Sequence, residues 1–229
     1  MITEAYPDLE FRVTVGAELS AADRAAISAL FDVCYRQANH AYLEKSFGTL
    51  RWAALAWHEG ALAGFSLAES RVIDLPRLPA TAVHLAGICC IAPAFRRRHL
   101  FATLERKAGL TAAGGTLAPE GRRLGCGRMA HPASFRGMTR IPSVVPRPGV
   151  TPTAWQQEVG AAIAREYGVR DFDPRTFVCH GSGTPIGYPV LEMDVEPREW
   201  EVFREVDRDR GDALLGIAWL PDPPAGWDA

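Results

Sequence analysis

The spacing of apolar and polar residues predicts a strand and then a helix near the start of the chain. Side chains alternate over residues 11–15, which is the period of a half-buried β-strand. Ser20 with Asp23 gives an N-cap and an acidic residue at the third helical position, so a helix begins there. Its buried stripe consists of Ile27, Leu30, Phe31 and Cys34. Residues 35–47 predict a second helix or a helix followed by a loop.

The next apolar segments predict a hairpin and a further strand. Residues 51–57 and Ala61–Leu75 are typical of strands, and Glu59-Gly60 between them is typical of a turn. Residues 84–91 form a short apolar strand. Pro93 ends it, because proline has no N–H to donate to a neighbouring strand.

A helix that follows the strand at 84–91 forms a candidate anion site. Leu100, Leu104 and Ala108 recur at the spacing of one apolar helix face. The first N–H groups of a helix have no partner within it, and the helix dipole adds partial positive charge there. Three consecutive arginines, residues 96–98, add full charges. The pattern therefore predicts a site for a pyrophosphate.

The C-terminal part predicts more strands and helices around a proline-rich linker at 146–152. Strands are expected at residues 124–130, 177–180, 189–195 and Ala213–Leu220, and helices at 131–138, from Thr151-Pro152 to Gly168, and at 197–206. Residues 221–229 have the composition of a disordered tail. We expect residues 1–145 to form one core, and residues 146–229 an extension that completes the same sheet.

The segment Pro93-Ala94-Phe95-Arg96-Arg97-Arg98-His99-Leu100-Phe101 resembles motif A of the GNAT superfamily of acyl-CoA-dependent N-acyltransferases. The order of elements over roughly residues 10–141 is also similar to that family. Two glycine positions of the motif hold His99 and Phe101. Residues 131–138 resemble the segment that opens the family's fourth helix, with Met138 where the family often has tyrosine as proton donor.

This resemblance implies an α/β fold with a mixed, mostly antiparallel sheet and helices on both faces. It implies that acyl-CoA binds along one strand and at the helix start after it. The residues expected to bind it, by backbone or side chain, are Cys89, Cys90, Ile91, Arg96, Arg97, Arg98, His99, Leu100, Phe101 and Ala102. It also implies that the acceptor groove includes residues 35–47.

The function implied is transfer of an acetyl group from acetyl-CoA to a primary amine of a small molecule. The amine would attack the thioester directly, and the Ile91 N–H is expected to stabilise the oxyanion. His131, Glu69 and His84 are the candidate catalytic residues, since amine acylation benefits from a nearby acid or base. Helix capping by His131, and structural roles for Glu69 and His84, remain alternatives.

Other functions of the same fold stay open at this point. Because the tyrosine and both glycines are missing, the chain could be an acyl-CoA-binding protein or an acyl-CoA decarboxylase without transferase activity. A third class is a non-enzymatic protein that interacts through its C-terminal extension. Cys89 and Cys90 face opposite sides of a strand, which favours buried packing over joint ligation of a metal. Cys126 is either a nucleophile or, better favoured, a buried thiol.

The composition of the chain argues against several classes of binding partner. The 229 residues are 48% hydrophobic and 23% charged with a net charge of −2, which argues against a nucleic-acid binder. No apolar run is long enough to span a membrane, and the N-terminus lacks a signal pattern. Five cysteines without C-x-x-C spacing predict neither a disulfide framework nor a metal site, and a reducing cytoplasm is the expected location. A homodimer is left open.

Charge is unevenly distributed along the chain. Residues 94–147 contain 11 Lys or Arg against 2 Asp or Glu, whereas residues 192–212 contain 9 Asp or Glu against 4 Arg. The basic stretch suits a polyanionic ligand such as CoA. The acidic stretch suits either an amine substrate or, better favoured, a solvated surface.

Overall fold

The computed structural model describes residues 8–112, 121–181, 183–190 and 194–229. The strands are β1 (Glu10–Val15), β2 (Tyr35–Arg36), β3 (Trp52–His58), β4 (Ala61–Leu75), β5 (Leu78–Ile91), β6 (Arg123–Met129), β7 (Phe172–Asp173), β8 (Val178–Cys179), β9 (Tyr188–Pro189) and β10 (Ala213–Leu220). The α-helices are α1 (Ala21–Cys34), α2 (His40–Thr49), α3 (Leu100–Ala112), α4 (Pro132–Thr139) and α5 (Ala154–Glu166), and 3-10 turns cover Gly16–Glu18, Pro93–Phe95 and Pro197–Phe203.

Eight of these strands form one sheet in the order β1-β3-β4-β5-β6-β10-β8-β7. Strands β5 and β6 are parallel, and the other neighbours in this sheet are antiparallel. The mixed, mostly antiparallel sheet predicted from the sequence is therefore confirmed. β10, β8 and β7 all come from the part of the chain after residue 146. β2 and β9 pair separately as a small second sheet.

Helices cover both faces of the main sheet, as predicted. The stripe Leu100, Leu104 and Ala108 of α3 is buried on one face. The sheet residues beneath it are Ala54, Ala56, Ala63 and Ala68. Their small side chains let the helix backbone approach the sheet closely. The larger core on the other face includes the buried stripes of α1 and α5.

Several boundaries differ from those predicted. Strand β5 begins at Leu78 rather than at residue 84, because a tight turn with Arg77 at φ +66° pairs it directly with β4. Residues 35–36 extend into β2, and α2 starts only after its N-cap Asn39. The strand expected at 189–195 is wrong in position, since the pairing with β2 involves only Tyr188–Pro189; residues 191–193 lie outside the described residues.

The other differences follow from local capping and chain ends. α5 is capped by Thr153, whose hydroxyl accepts the Gln156 N–H at 3.3 Å, rather than by Thr151. Gly168 closes that helix at φ +71°, as predicted. The loop expected at 111–121 falls mostly outside the described residues, and α3 continues to Ala112. No helix in the described part of the chain is both long and apolar enough to cross a membrane.

The end of the chain is ordered by an indole cluster, so the prediction of a disordered tail is wrong. Trp227 is 1% exposed. Its ring packs edge-on against Trp155 and Trp219, at 5.5 and 5.6 Å between ring centres. Its Nε1 donates to the Ser143 carbonyl at 3.3 Å. A single large apolar side chain thus fixes a segment whose local composition predicts disorder.

Candidate active site

The parallel strands β5 and β6 separate in the middle of the sheet. Their pairing runs from Ala82 opposite Arg123 to Ala86 opposite Gly127 and then stops. β5 nevertheless continues to Ile91, held on its other side by β4. The two strands therefore leave an unpaired gap between their C-terminal ends, where a ligand can pair with strand backbone as an added strand would.

Backbone N–H groups of β5 face this gap. The Ala92 N–H donates to the Ala63 carbonyl at 2.8 Å. Because hydrogen-bonded pairs alternate along an antiparallel ladder, Ile91 and Cys89 occupy non-hydrogen-bonded positions opposite β4, and their N–H groups point toward β6. Of the three predicted positions, Cys89 and Ile91 thus present donors to the gap, whereas the Cys90 N–H is directed to β4.

The turn before α3 holds two non-glycine residues in left-handed backbone conformations. Arg97 and His99 both have φ +63°. The first intrahelical bond runs from the Thr103 N–H to the His99 carbonyl at 3.2 Å, so the N–H groups of the first turn of α3 have no helical acceptor. His99 occupies a glycine position of the motif, and its backbone adopts the conformation that glycine favours.

The Arg96 guanidinium is directed to neighbouring backbone and sulfur atoms. Its Nε donates to the Ile91 carbonyl and its Nη1 to the Val190 carbonyl, both at 3.1 Å. Its Nη2 lies 3.7 Å from the sulfur of Cys34. Arg97 and Arg98 are exposed on the same turn. The side chain of Arg96 therefore ties the turn to the end of β5, and the exposed arginines supply charge at the surface.

Two thiols meet at this end of β5. The Cys34 thiol at the end of α1 donates to the Ile91 carbonyl at 3.5 Å. Its interaction with the Cys90 thiol lowers the pKa of Cys34 to about 7, against the opposing effect of burial and with help from Arg96. Burial, followed by the hydrogen bond with Cys34 and then by the charge on Cys34, raises the pKa of Cys90 well above its ordinary value. Cys34 was not among the residues singled out from the sequence, where it reads only as part of a helix stripe.

His131 caps α4 at the end of β6. Its Nδ1 accepts the Ala133 N–H at 3.2 Å, and its ring lies edge-on to Trp200 with 5.4 Å between ring centres. Burial, together with the nearby Arg208 and Arg136, lowers its pKa. A neutral imidazole is required for this capping bond, since both ring nitrogens are donors when protonated.

His84 lies in a polar cluster beneath α3. Its Nε2 is 3.3 Å from Oε2 of Glu105, and its Nδ1 is 2.9 Å from the Ser70 hydroxyl. The second oxygen of Glu105 accepts the Ser66 hydroxyl. Gly109 leaves room for the imidazole, because a Cβ there would lie 2.9 Å from His84 Cε1.

The structure does not bring the three candidate catalytic residues together. Glu69 is opposite Leu85 on the α1 face of the sheet, and its carboxylate accepts the Ser70 N–H at 2.9 Å. His84 is on the α3 face, because adjacent strand residues point to opposite sides. His131 stands beyond the end of β6. These residues therefore do not form one catalytic constellation.

A tyrosine from the C-terminal extension lies where the strands separate. The Tyr167 hydroxyl is 2.7 Å from the Ala86 carbonyl and 3.1 Å from the Cys126 carbonyl, one on each strand. Burial raises its pKa well above the ordinary value. In the sequence Tyr167 lies near the end of the helix predicted from Thr151-Pro152 to Gly168, and no local pattern marks it as a site residue. Its role depends on the packing of α5 against strands that are distant in sequence.

Met138 of α4, singled out from the sequence, is not an acid. Met138 packs against β10, where a Cβ on Gly216 would lie 2.9 Å from the Met138 sulfur, the Met129 Cε and the Phe135 ring. Cys126, in contrast, is a buried thiol whose pKa is raised by burial, so it stays protonated and unreactive.

Comparisons with known proteins find similar structures but no similar sequences. No protein-family model and no curated protein matches the chain. The ribosomal-protein-S18-alanine N-acetyltransferase from Escherichia coli is 9% identical, covering 95% of this chain and 98% of that one with a TM-score of 0.44. The GphF GNAT-like decarboxylase in complex with isobutyryl-CoA is 20% identical, covering 91% and 98% with a TM-score of 0.41. The aminoglycoside N-acetyltransferase AAC(6')-Iy in complex with CoA is 12% identical, covering 47% and 71% with a TM-score of 0.36.

The architecture of the chain itself matches the predicted order of strand, two helices, hairpin, strand, arginine-rich turn and helix. It adds a parallel strand pair that separates beside that turn. The chain therefore has the α/β architecture, with a mixed and mostly antiparallel sheet, that its sequence predicts.

Proposed function

We propose that the protein is an acyl-CoA-dependent N-acyltransferase that moves an acetyl group from acetyl-CoA to a primary amine of a small molecule. The observation that carries this proposal is the gap between β5 and β6, with the N–H groups of Cys89 and Ile91 directed into it. An extended chain that contains amides and ends in a thioester is complementary to such an unpaired strand edge.

The basic turn supports the same donor. The N–H groups at the start of α3 and the charges of Arg97 and Arg98 lie directly after the strand that lines the gap. A ligand with a diphosphate at one end and an amide-containing arm at the other would use both features. The left-handed conformations of Arg97 and His99 give the turn a glycine-like shape without glycine.

In the proposed reaction the amine nitrogen attacks the thioester carbon, and the C–S bond breaks. The Ile91 N–H points toward the gap and would stabilise the developing oxyanion. The amine loses a proton to solvent and the CoA thiolate gains one from solvent, because no acid stands at Met138. Holding the two reactants side by side supplies several kcal/mol of the rate enhancement.

The acidic stretch near α4 supports an amine as acceptor. Arg136 of α4 forms an ion pair with Glu199, and its Nη2 donates to Oε2 at 2.7 Å. This contact holds the acidic 3-10 turn Pro197–Phe203 against α4. Trp200 of this turn packs on His131 at the end of β6. Residues 192–212 hold 9 Asp or Glu against 4 Arg, and this excess favours a cationic amine over an anionic acceptor, while Arg136 and Arg208 keep the immediate surroundings of His131 positive.

A decarboxylase of malonyl-type CoA thioesters is the second candidate. The packing of Met138 over Gly216 favours it, since decarboxylation needs an oxyanion site but no proton donor on α4. Incubation with malonyl-CoA would then yield CO₂ and acetyl-CoA without any amine. An amine-dependent release of free CoA supports the transferase instead.

The test combines binding with turnover. Isothermal titration with acetyl-CoA should show one site, and free thiol should appear with some members of a panel of small amines. Replacing both Arg97 and Arg98 by alanine should weaken acetyl-CoA binding roughly tenfold or more, because two charge-assisted contacts to phosphate are lost.

The matched control removes two exposed charges elsewhere. Arg165→Ala with Arg170→Ala changes the net charge equally but lies around the end of α5. This variant should bind acetyl-CoA like the unmodified protein. Absence of binding at millimolar acetyl-CoA would rule out every acyl-CoA function. Equal weakening in both double variants would show that only bulk charge matters.

A further inference from the structure

The Cys34 thiol and the Arg96 guanidinium both contact the carbonyl of Ile91. Cys34 donates to this carbonyl at 3.5 Å, and Arg96 reaches both the carbonyl and the Cys34 sulfur, at 3.1 and 3.7 Å. Cys90, the residue before Ile91, interacts with the Cys34 thiol. This cluster takes no part in the proposed amine acylation, although it contains the most acidic thiol among the described residues whose thiol pKa is shifted.

The position of the cluster relates it to the gap. In an extended strand the N–H and C=O of one residue point to the same side, so the Ile91 carbonyl faces the gap together with its N–H. The sulfur of Cys34 therefore contacts the carbonyl of the same residue whose N–H the proposed function assigns to the thioester oxygen. Cys34 ends α1, which packs on the face opposite α3.

The surroundings of the sulfur are those of a reactive cysteine. A nucleophilic thiol needs a nearby cation or thiol that favours its thiolate form. Arg96 provides the cation and Cys90 provides the hydrogen-bonding thiol. Cys34 is only 7% exposed, so a group delivered through the gap would reach it more readily than a reagent from bulk solvent.

We propose that Cys34 is an acyl-acceptor site, which takes the acyl group from a bound acyl-CoA as an S-acyl thioester. This inference rests on the proposed acyl-CoA function and adds a covalent acceptor to it. In the step, the Cys34 thiolate attacks the thioester carbonyl carbon and a new C–S bond forms. The C–S bond to CoA breaks, CoA leaves as a thiolate, and solvent protonates it. One thioester replaces another, so no oxidant or reductant is needed.

The experiment follows the mass of the protein and the release of CoA without any amine. After incubation with acetyl-CoA and an acid quench, the intact protein should gain the mass of one acetyl group, and peptide mapping should place it on Cys34. Hydroxylamine should remove it, as expected for a thioester. Free CoA should appear in a burst equal to the amount of protein.

Variants separate the role of Cys34 from that of the other thiols. Cys34→Ser should abolish the mass gain while acetyl-CoA binding, measured by calorimetry, persists. Cys179→Ala, which removes a buried thiol of β8, should leave the modification unchanged. Cys90→Ala should retain the modification but shift the pH at which its rate is half-maximal upward, because the Cys90 interaction favours the thiolate. If Cys90 had only a structural role, Cys90→Ala would leave the pH dependence of the modification rate unchanged.

The outcomes distinguish the two proposals. If acetyl-CoA binds and amines are acylated, but neither mass gain nor CoA burst occurs, the assignment of Cys34 is wrong and the proposed function stands. If acetyl-CoA does not bind at all, the proposed function is wrong. A mass gain that persists in Cys34→Ser would assign the acceptor to another residue and overturn the inference.

Discussion

At the scale of single residues, the turn before α3 shows that residues other than glycine can hold a backbone conformation that glycine favours. Arg97 and His99 adopt φ +63°, which costs L-residues with a Cβ about 1–2 kcal/mol. Such a conformation persists only where the surrounding structure determines it. Here Pro93–Phe95 fixes the start of the turn, and the Arg96 contacts fix its middle.

His99→Gly should therefore stabilise the protein by about 0.5 kcal/mol. Relief of the left-handed strain exceeds the loss caused by the greater freedom of glycine in the unfolded chain. Urea unfolding would measure the difference. Arg98→Gly is the control, since Arg98 does not have a positive φ, and it should be neutral or destabilising. Equal effects of both substitutions would contradict the strain argument.

At the scale of elements, α3 combines an apolar stripe with a polar seam, by which we mean Glu105 and the His84 and Ser66 side chains that it contacts. The stripe packs on alanines of β3 and β4, while Glu105 joins His84 and Ser66 beside them. Gly109 belongs to the seam, because its missing Cβ makes room for the His84 ring. The helix thus depends on a glycine in its interior, where glycine alone would be unfavourable.

Gly109→Ala should destabilise the protein by roughly 1–2 kcal/mol. Alanine improves helix propensity by about 1 kcal/mol, but its Cβ would meet an imidazole held by Ser70 and Glu105. The change is measured by chemical denaturation. Gly137→Ala in α4 is the matched control, since nothing lies within 4 Å of its Cβ, and it should be neutral or stabilising. If Gly109→Ala raised the free energy of unfolding, the His84 side chain and its partners would have moved away from the new Cβ without losing stability.

At the scale of the whole molecule, the C-terminal extension is part of the sheet and of the site. β10 pairs with β6 along its length, and α5 brings Tyr167 to the carbonyls at which β5 and β6 separate. Arg71 of β4 and Glu166 of α5 form an ion pair at 3.0 Å near this point. The extension thus contributes to holding the strands at the start of the gap.

Tyr167→Phe should lower the free energy of unfolding by about 1–2 kcal/mol, because two strand carbonyls lose a buried hydroxyl donor. Thermal and urea unfolding would detect this loss. Tyr188→Phe is the control: its hydroxyl donates to Asp209 in an exposed contact, so its removal should cost less than about 0.5 kcal/mol. A neutral Tyr167→Phe would mean that the strand geometry does not depend on this hydroxyl.

A buried aspartate should make the stability of the extension dependent on acid. Burial alone would raise the pKa of Asp212, but hydrogen bonds from Arg210 and the Gly181 N–H lower it to about 2. Since the folded-state pKa is below the unfolded one, near 4, this stabilisation is present above about pH 4. It is lost as the pH falls toward 2.

Asp212→Asn should accordingly lower stability by about 2 kcal/mol at pH 7, where the charged hydrogen bonds are lost. Its difference from the unmodified protein should shrink as the pH falls from about 4 to about 2. Asp222→Asn, an exposed position near the chain end, is the control and should show no such pH-dependent difference. A constant difference for Asp212→Asn across this range would contradict the assigned pKa.

Local patterns determined the core elements of the fold. The alternation before Val15, the Ser20 capping pair and the spacing of Leu100, Leu104 and Ala108 each depend on near neighbours in the chain. Physical rules for caps and periodicity act at this range, so the sequence predicts these elements correctly. The order of elements together with the arginine-rich turn then predicted the fold class.

Tertiary structure decided which residues and backbone groups form the candidate site. The direction of the Ile91 N–H depends on the register of β5 with β4, and the gap depends on where β5 and β6 stop pairing. Cys34 and Tyr167 reach the site from elements that are distant in sequence. No local pattern encodes such contacts, because burial and pairing partners are properties of the packed molecule. For the same reason Trp227 orders a tail whose composition, taken alone, predicts disorder.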